Sequence, residues 1–274
     1  MSNPATSNTV VAAAPSLIRI TDEGAIRQIT LANGARRNAL SLAMISELHA
    51  AFRTTAQEKA IRVVIVTGEG PAFSAGHDLK EIQAARANPD KGRAFFADLM
   101  GACAAMMLEI RAIPQPVIAA VEGVATAAGC QFVASCDLAV AGAAAQFATP
   151  GVNIGLFCST PMVALSRNVT NKHAMEMLLT GEMTDAEAAH RFGLVNRVVP
   201  AGAAEAEARA LATLIASKPA ATIKIGKEAF YRQKDMPLDE AYAYTSGVMV
   251  ENMLIREAEE GIGAFVERRP PAKA

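Results

Sequence analysis

Val117-Ile118-Ala119-Ala120-Val121-Glu122-Gly123-Val124-Ala125-Thr126-Ala127-Ala128-Gly129-Cys130-Gln131 is the stretch that decides how this chain is read. Val117–Val121 is a short apolar run of strand length, and a Gly-rich turn beginning at Gly123 leads into an apolar helical run from Cys130 to Ser135. Strand, turn and helix in that order leave the N–H groups around Ala128 without partners inside the helix and aimed at partial negative charge. Two such donors converging on one point make an oxyanion hole. The spacing alone fits a plain turn equally.

The same alternation extends outward in both directions. Strand-length runs recur at Ala25–Leu31, Arg62–Thr67 and Asp137–Ala141, and the second of them enters another Gly-rich turn, Gly68-Glu69-Gly70-Pro71-Ala72-Phe73-Ser74-Ala75-Gly76-His77-Asp78-Leu79. Neither turn carries a GxxxxGK[ST] phosphate loop or a complete GxGxxG, which argues against nucleotide binding of those kinds. Helical patterns lie between the strands. Ser41 reads as an N-cap, with Leu42, Ile45, Leu48, Phe52 and Ala56 following on one face. Thr184 with Glu187 reads as a capping box, and Gly193-Leu194 as a Schellman stop. After Pro200 the pattern is helical to the end, through Ala204–Ser217, Ile223–Gln233, a stretch opening at Pro237, and Glu257–Arg268.

An α/β fold is therefore expected, with a disordered start over residues 1–15, a core over 16–200 and a helical region over 201–274. The helical region carries Leu211, Leu214, Phe230, Tyr242, Met249, Leu254 and Phe265, more apolar surface than a few helices hide among themselves. A subunit interface and packing onto the core both fit.

Composition narrows the function. Apolar residues make up 51% of the 274 and charged residues only 19%, which fits a large packed core and excludes a disordered chain. A net charge of −1, with no block of like charges, leaves no footprint for nucleic acid or a polybasic membrane contact. No apolar run reaches the roughly 18 residues of a membrane span. Cys103, Cys130, Cys136 and Cys158 form no CxxC pair, and with no secretory signal in the first fifteen residues they read as reduced thiols of a cytoplasmic protein. His49, His173 and His190 build no metal constellation, so no metal is expected. Ala72-x-Ser74-x-Gly76 lacks the first Gly of a nucleophile elbow, and His77 is too near in sequence to serve as its base.

At these residues the chain resembles the crotonase, or enoyl-CoA hydratase/isomerase, superfamily. The resemblance runs from Leu17 to Arg269 through Arg37-Asn38-Ala39-Leu40-Ser41, Phe73-Ser74-Ala75-Gly76-His77-Asp78-Leu79 and Pro116-Val117-Ile118-Ala119-Ala120-Val121-Glu122-Gly123. It continues through Ala128-Gly129-Cys130, Ser135-Cys136-Asp137-Leu138-Ala139, Leu179-Thr180-Gly181-Glu182, Ala186-Glu187-Ala188 and Gly193-Leu194-Val195 to Glu260-Gly261-Ile262-Gly263-Ala264-Phe265. Within the superfamily it is most similar to the group called enoyl-CoA hydratase domain-containing protein three, through Ala127-Ala128-Gly129-Cys130-Gln131 and Ala148-Thr149-Pro150-Gly151-Val152-Asn153.

The resemblance implies a spiral of ββα repeats with a C-terminal helical region that builds homotrimers, often paired into hexamers. It implies an acyl-CoA thioester as substrate, as in fatty acid metabolism, with no separate cofactor because CoA is part of that substrate. The main-chain N–H groups of His77 and Ala128 would form the oxyanion hole, and Arg36, Arg37, Ala75, His77, Asp78, Leu79, Lys80 and Arg268 would contact CoA. Ala127 and Ala128 stand where relatives commonly have Gly, which suits them provided neither needs a positive φ.

Two positions depart from the pattern. In hydratases of the superfamily two Glu side chains hold the water and move its protons, and those positions are Gln131 and Gly151 here. Gln cannot exchange a proton near neutral pH and Gly has no side chain. His77 and Cys158 are the candidate replacements for the missing acid or base, and restoring both carboxylates is expected to raise hydration. Three readings follow: an enzyme of the enoyl-CoA hydratase class, a decarboxylase of malonyl-type CoA thioesters that needs a hole more than a base, and a non-catalytic acyl-CoA binder.

Overall fold

A computed structural model describes residues 15–270; residues 1–14, most of the start expected to be disordered, lie outside them. The strands are β1 (Ile18–Glu23), β2 (Ile26–Leu31), β3 (Val63–Gly68), β4 (Ala72–Ser74), β5 (Val117–Val121), β6 (Val124–Thr126), β7 (Leu138–Gly142), β8 (Gln146–Ala148), β9 (Thr184–Asp185) and β10 (Arg197–Val199). The helices are α1 (Leu42–Gln57), α2 (Leu79–Ala85), α3 (Arg93–Ala112), α4 (Ala128–Ser135), α5 (Ser159–Leu165), α6 (Asn171–Thr180), α7 (Ala186–Phe192), α8 (Ala204–Ala216), α9 (Ala220–Gln233), α10 (Leu238–Met253) and α11 (Arg256–Val266).

From β3 to β8 successive strands alternate between two sheets. The larger runs in the order β1-β2-β3-β5-β7-β10 and the smaller in the order β4-β6-β8-β9. Each of β3, β5 and β7 turns directly into a short strand of the smaller sheet and then into helix, and each repeat pairs parallel to the one before it in both sheets. This is the spiral of ββα units that the resemblance implies.

The long strands were legible because β3, β5 and β7 are covered on both faces, and strands buried on both sides carry unbroken apolar runs. One face meets α1, α3 and α4, where Phe132 packs edge-on to Phe52 and Phe73. On the other face Val63, Ile65, Ile118, Ala120 and Val140 meet Ala204, Ala208, Leu211 and Ala212 of α8. The alanines of α8 let it lie close to the sheet. Glu122, at the turn after β5, accepts from the Gly202 and Ala204 N–H groups and so caps this helix.

Local signals held in part. Ser41 Oγ accepts from Met44 N–H at 3.1 Å, capping α1 as expected. Gly193, at φ 89°, and Leu194 close α7 by donating to His190 and Ala189 carbonyls, the Schellman pattern. The capping box at Thr184 is corrected: Asp185 is the N-cap, its Oδ1 accepting from Ala188 N–H at 2.7 Å, because Thr184 is paired with Phe147 in β9. The strands of the smaller sheet, two or three residues each, are too short to show a period in sequence.

Asn38 pins the turn between β3 and β4. It is fully buried at φ 50°, its Oδ1 accepts from Asn33 N–H, and its Nδ2 donates to Glu69 O and Ala72 O at 2.9 and 2.8 Å. Asn tolerates the left-handed region better than most residues, so one side chain serves both the backbone and the turn. Asn38→Ala is expected to destabilise the protein by about 2–4 kcal/mol, read as a lower urea midpoint, since three buried or part-buried partners lose their bonds and the strained φ remains.

Candidate active site

β4 and β6 are neighbours in the smaller sheet, with Ser74 opposite Ala125, so the two Gly-rich turns leave it side by side. Their main chains then touch. A Cβ on Gly129 would stand 2.2 Å from Ser74 O, and one on Gly76 would stand 3.1 Å from Ala128 N and 2.9 Å from Thr126 O. Thr126 Oγ1 also donates to Ala75 O at 3.2 Å. Only glycine at 76 and 129 permits this approach.

The contact brings His77 and Ala128 together. Ala128 is the first residue of α4, and neither its N–H nor that of His77 has a hydrogen-bond partner among the described residues. The condition placed on the alanines fails at Ala127, which sits at φ 50° and ψ −117°. That is a conformation glycine adopts freely and alanine does not. Hydrogen bonding to Ala148 O in β8 holds it there and aims the next N–H out of the helix start.

The His77 imidazole turns back on its own turn. Nδ1 lies 3.3 Å from Leu40 O and must donate to it, which leaves Nε2 as an acceptor, buried and without a partner. Burial holds the imidazole below its ordinary pKa, with the Leu40 bond opposing, so the ring is neutral at physiological pH. Ser74 is a structural hydroxyl: it is buried and donates to Asn38 O at 2.9 Å.

Gln131 lies one turn along α4 from Ala128 and is 5% exposed, with Oε1 unpartnered. It borders a cavity of about 330 Å³ between α3, α4, α5 and α9. Gly151 is buried, and a Cβ there would meet Leu156 O at 2.8 Å and Cys158 Sγ at 2.9 Å. The expectation that both carboxylates can be restored is therefore corrected, because the 156–158 segment already occupies the space a Glu would need. Burial pushes the Cys158 thiol up, against a hydrogen bond from Gly151, so it is a poor proton donor or acceptor at neutral pH.

The remaining candidates separate into two groups. Arg36, Arg37, Leu79 and Lys80 are exposed around the Gly76–His77 turn, and Ala75 N–H donates to Arg37 O. Asp78 faces inward: Oδ1 caps α2 through Lys80 N–H, and Oδ2 pairs with Arg36 at 2.7 Å. It holds Arg36 in place and has no free oxygen to offer. Arg268 follows α11, which packs chiefly on α10, so a single chain does not tie it to these turns. Arg111, Arg167 and Lys234, which line the cavity, were not singled out in the sequence because they come from three distant segments.

Residues 21–273 match the sequence family described as enoyl-CoA hydratase/isomerase. The chain belongs to this family. It is 46% identical over 257 residues to enoyl-CoA hydratase domain-containing protein 3, mitochondrial, of Rattus norvegicus, covering 94% of this chain and 84% of the rat protein. The crystal structure of the human enoyl coenzyme A hydratase domain-containing protein 3 superposes with a TM-score of 0.89 at 45% identity, over 94% of this chain and all of that one. An enoyl-CoA hydratase crystal structure from Mycobacterium smegmatis gives 0.89 at 47% identity, over 93% and 98%. The crotonase-like fold of this enoyl-CoA hydratase/isomerase family member is thereby established. Its cytoplasmic placement is overturned: the rat, mouse and human relatives are named as mitochondrial. Four buried thiols stay reduced in either compartment and so carry no address.

The strain at Ala127 gives a direct test of the geometry beside the Ala128 N–H. Ala127→Gly is expected to stabilise the protein by about 1 kcal/mol net, a rise in Tm of about 2–4 °C for a chain of this size, measured by calorimetry. A fall in Tm would mean the residue does not adopt this conformation.

Proposed function

We propose that this family member binds acyl-CoA thioesters and polarises the thioester carbonyl with the main-chain N–H groups of His77 and Ala128. The observation that carries the reading is the contact of the Gly76–His77 turn with the start of α4, which leaves both N–H groups unpartnered at one place. Donors fixed by the backbone stabilise an enolate oxygen without reorganising, which is the most effective form such stabilisation takes. The exposed cations Arg36, Arg37 and Lys80 around the same turn suit the phosphates of CoA.

Proton transfer is the weak part of this site. Gln131 and Gly151 supply no carboxylate, the Cys158 thiol is held protonated, and His77 Nδ1 is committed to Leu40 O. Efficient hydration of an enoyl thioester therefore lacks its acid and base. Decarboxylation of a malonyl-type thioester is the second reading, favoured by the closed space at Gly151: loss of CO₂ leaves the electron pair on the α-carbon and needs no base to create the enolate.

Acetyl-CoA is expected to bind in calorimetry and free acetate not to, whereas equal affinity for both would sink the CoA assignment. Crotonyl-CoA hydration by the unmodified protein is expected to be slower by several powers of ten than in a hydratase bearing both carboxylates, the two losses not simply multiplying because the groups act as a unit. Gln131→Glu alone is expected to recover little of it. Robust hydration indifferent to position 131 would show that another acid–base pair operates, and binding without turnover of enoyl or malonyl thioesters would leave a non-catalytic binder.

We also infer that α9–α11 build a homotrimer or a hexamer. Leu254 is 73% exposed and Phe265 86%, with Phe230, Tyr242 and Met249 also open on these helices. Light scattering on the full chain is expected to give at least a trimer; a well-behaved monomer would refute the assembly.

A further inference from the structure

The cavity beside Gln131 holds positive charge with which no carboxylate among the described residues pairs. Its walls are largely apolar, with Met107, Leu108, Val163 and Phe230 among them, and Gln131 lines it on the α4 side. The one carboxylate on its wall, Asp137, is fully engaged: Oδ1 accepts from Tyr231 OH at 2.8 Å, and Oδ2 from Lys227 Nζ and Val117 N–H, each at 2.7 Å. Against it stand Arg111 on α3, Arg167 just after α5 and Lys234 at the end of α9. Among the described residues these three make only neutral contacts. Arg111 lies over the Tyr231 ring, 4.2 Å from its centroid, Arg167 Nη1 donates to Val163 O at 3.0 Å, and Lys234 Nζ donates to Arg167 O at 2.6 Å. Carbonyls and a ring hold the cations in position without neutralising them, which is how an anion site is prepared.

The step from site to substrate rests on the proposed acyl-CoA function. With the thioester oxygen at Ala128, the acyl chain passes Gln131 after one helical turn of α4, a rise of about 4.5 Å. It then runs along the apolar wall toward the cations. We infer that the acyl group carries a second carboxylate at its far end, received by Arg111, Arg167 and Lys234, so that the substrates are CoA thioesters of dicarboxylic acids. A simple fatty acyl chain would instead bring a methyl group against three charges.

The test is titration calorimetry with glutaryl-CoA, adipyl-CoA, the ω-methyl ester of each, and acetyl-CoA. At least one free-acid thioester is expected to bind about tenfold more tightly than its ester, the factor that one partly exposed charge-assisted contact supplies. In the Arg167→Gln, Lys234→Gln double variant, checked for folding by circular dichroism, that preference is expected to fall to about twofold or less. Equal affinity of acid and ester in the unmodified protein would overturn the inference. So would a double variant that weakens acid and ester by the same factor, since that would place the two cations on the CoA moiety. If acetyl-CoA binds while acid and ester are alike, only this inference fails; if no thioester binds, the acyl-CoA reading fails with it.

Discussion

Everything at the site depends on one close approach, the main chain of Gly129 against the carbonyl of Ser74. A single methyl group there would stand 2.2 Å from that oxygen, well inside contact distance. Because Ser74 ends β4 and Gly129 follows β6, its parallel neighbour in the smaller sheet, the approach fixes two turns that are half a hundred residues apart in sequence. The start of α4 is then held against Gly76, and two N–H groups are left open in one place. The strained Ala127 belongs to the same arrangement: the surrounding bonds hold it where its side chain is unfavourable, and the helix start gains its direction from that constraint.

A second constraint ties the helical segment to the core. Lys227 of α9 is buried and donates to Asp137 Oδ2, Ile110 O and Gln115 O, while Tyr231, one turn on, donates to Asp137 Oδ1. Burial alone would drive the lysine toward its neutral form, and the adjacent carboxylate opposes this. Removing one partner would strand a buried charge, a loss of about 3–5 kcal/mol. The pair therefore fixes α9 in register over α3 and α4, and the cavity beside Gln131 exists because that register leaves space between them.

The chemistry of this family member follows from what these constraints leave free. Main-chain donors are insensitive to side-chain replacement, so the unpartnered N–H groups of His77 and Ala128 do not depend on which side chains stand at 131 and 151. Position 151 does more than lack a side chain. Leu156 O and Cys158 Sγ close over Gly151, so a larger side chain there would have to displace them. On the proposed acyl-CoA reading, these donors would hold the enolate oxygen and the means of forming the enolate would come from the substrate.

By itself the sequence determined the α/β class, the strand at Val117–Val121, those read at Arg62–Thr67 and Asp137–Ala141 to within one residue, and the caps at Ser41 and Gly193, because each is written in a local period or one diagnostic residue. It also carried the ordered motifs that mark the family, and with them His77, Ala128, Gln131 and Gly151 as candidate site positions. The short strands of the smaller sheet, the cap at Asp185 rather than Thr184, the positive φ of Ala127, the closure over Gly151 and the meeting of Arg111, Arg167 and Lys234 were decided only by tertiary structure. Each depends on groups distant in the chain, and a local pattern holds no information about which distant groups the packing will bring within contact.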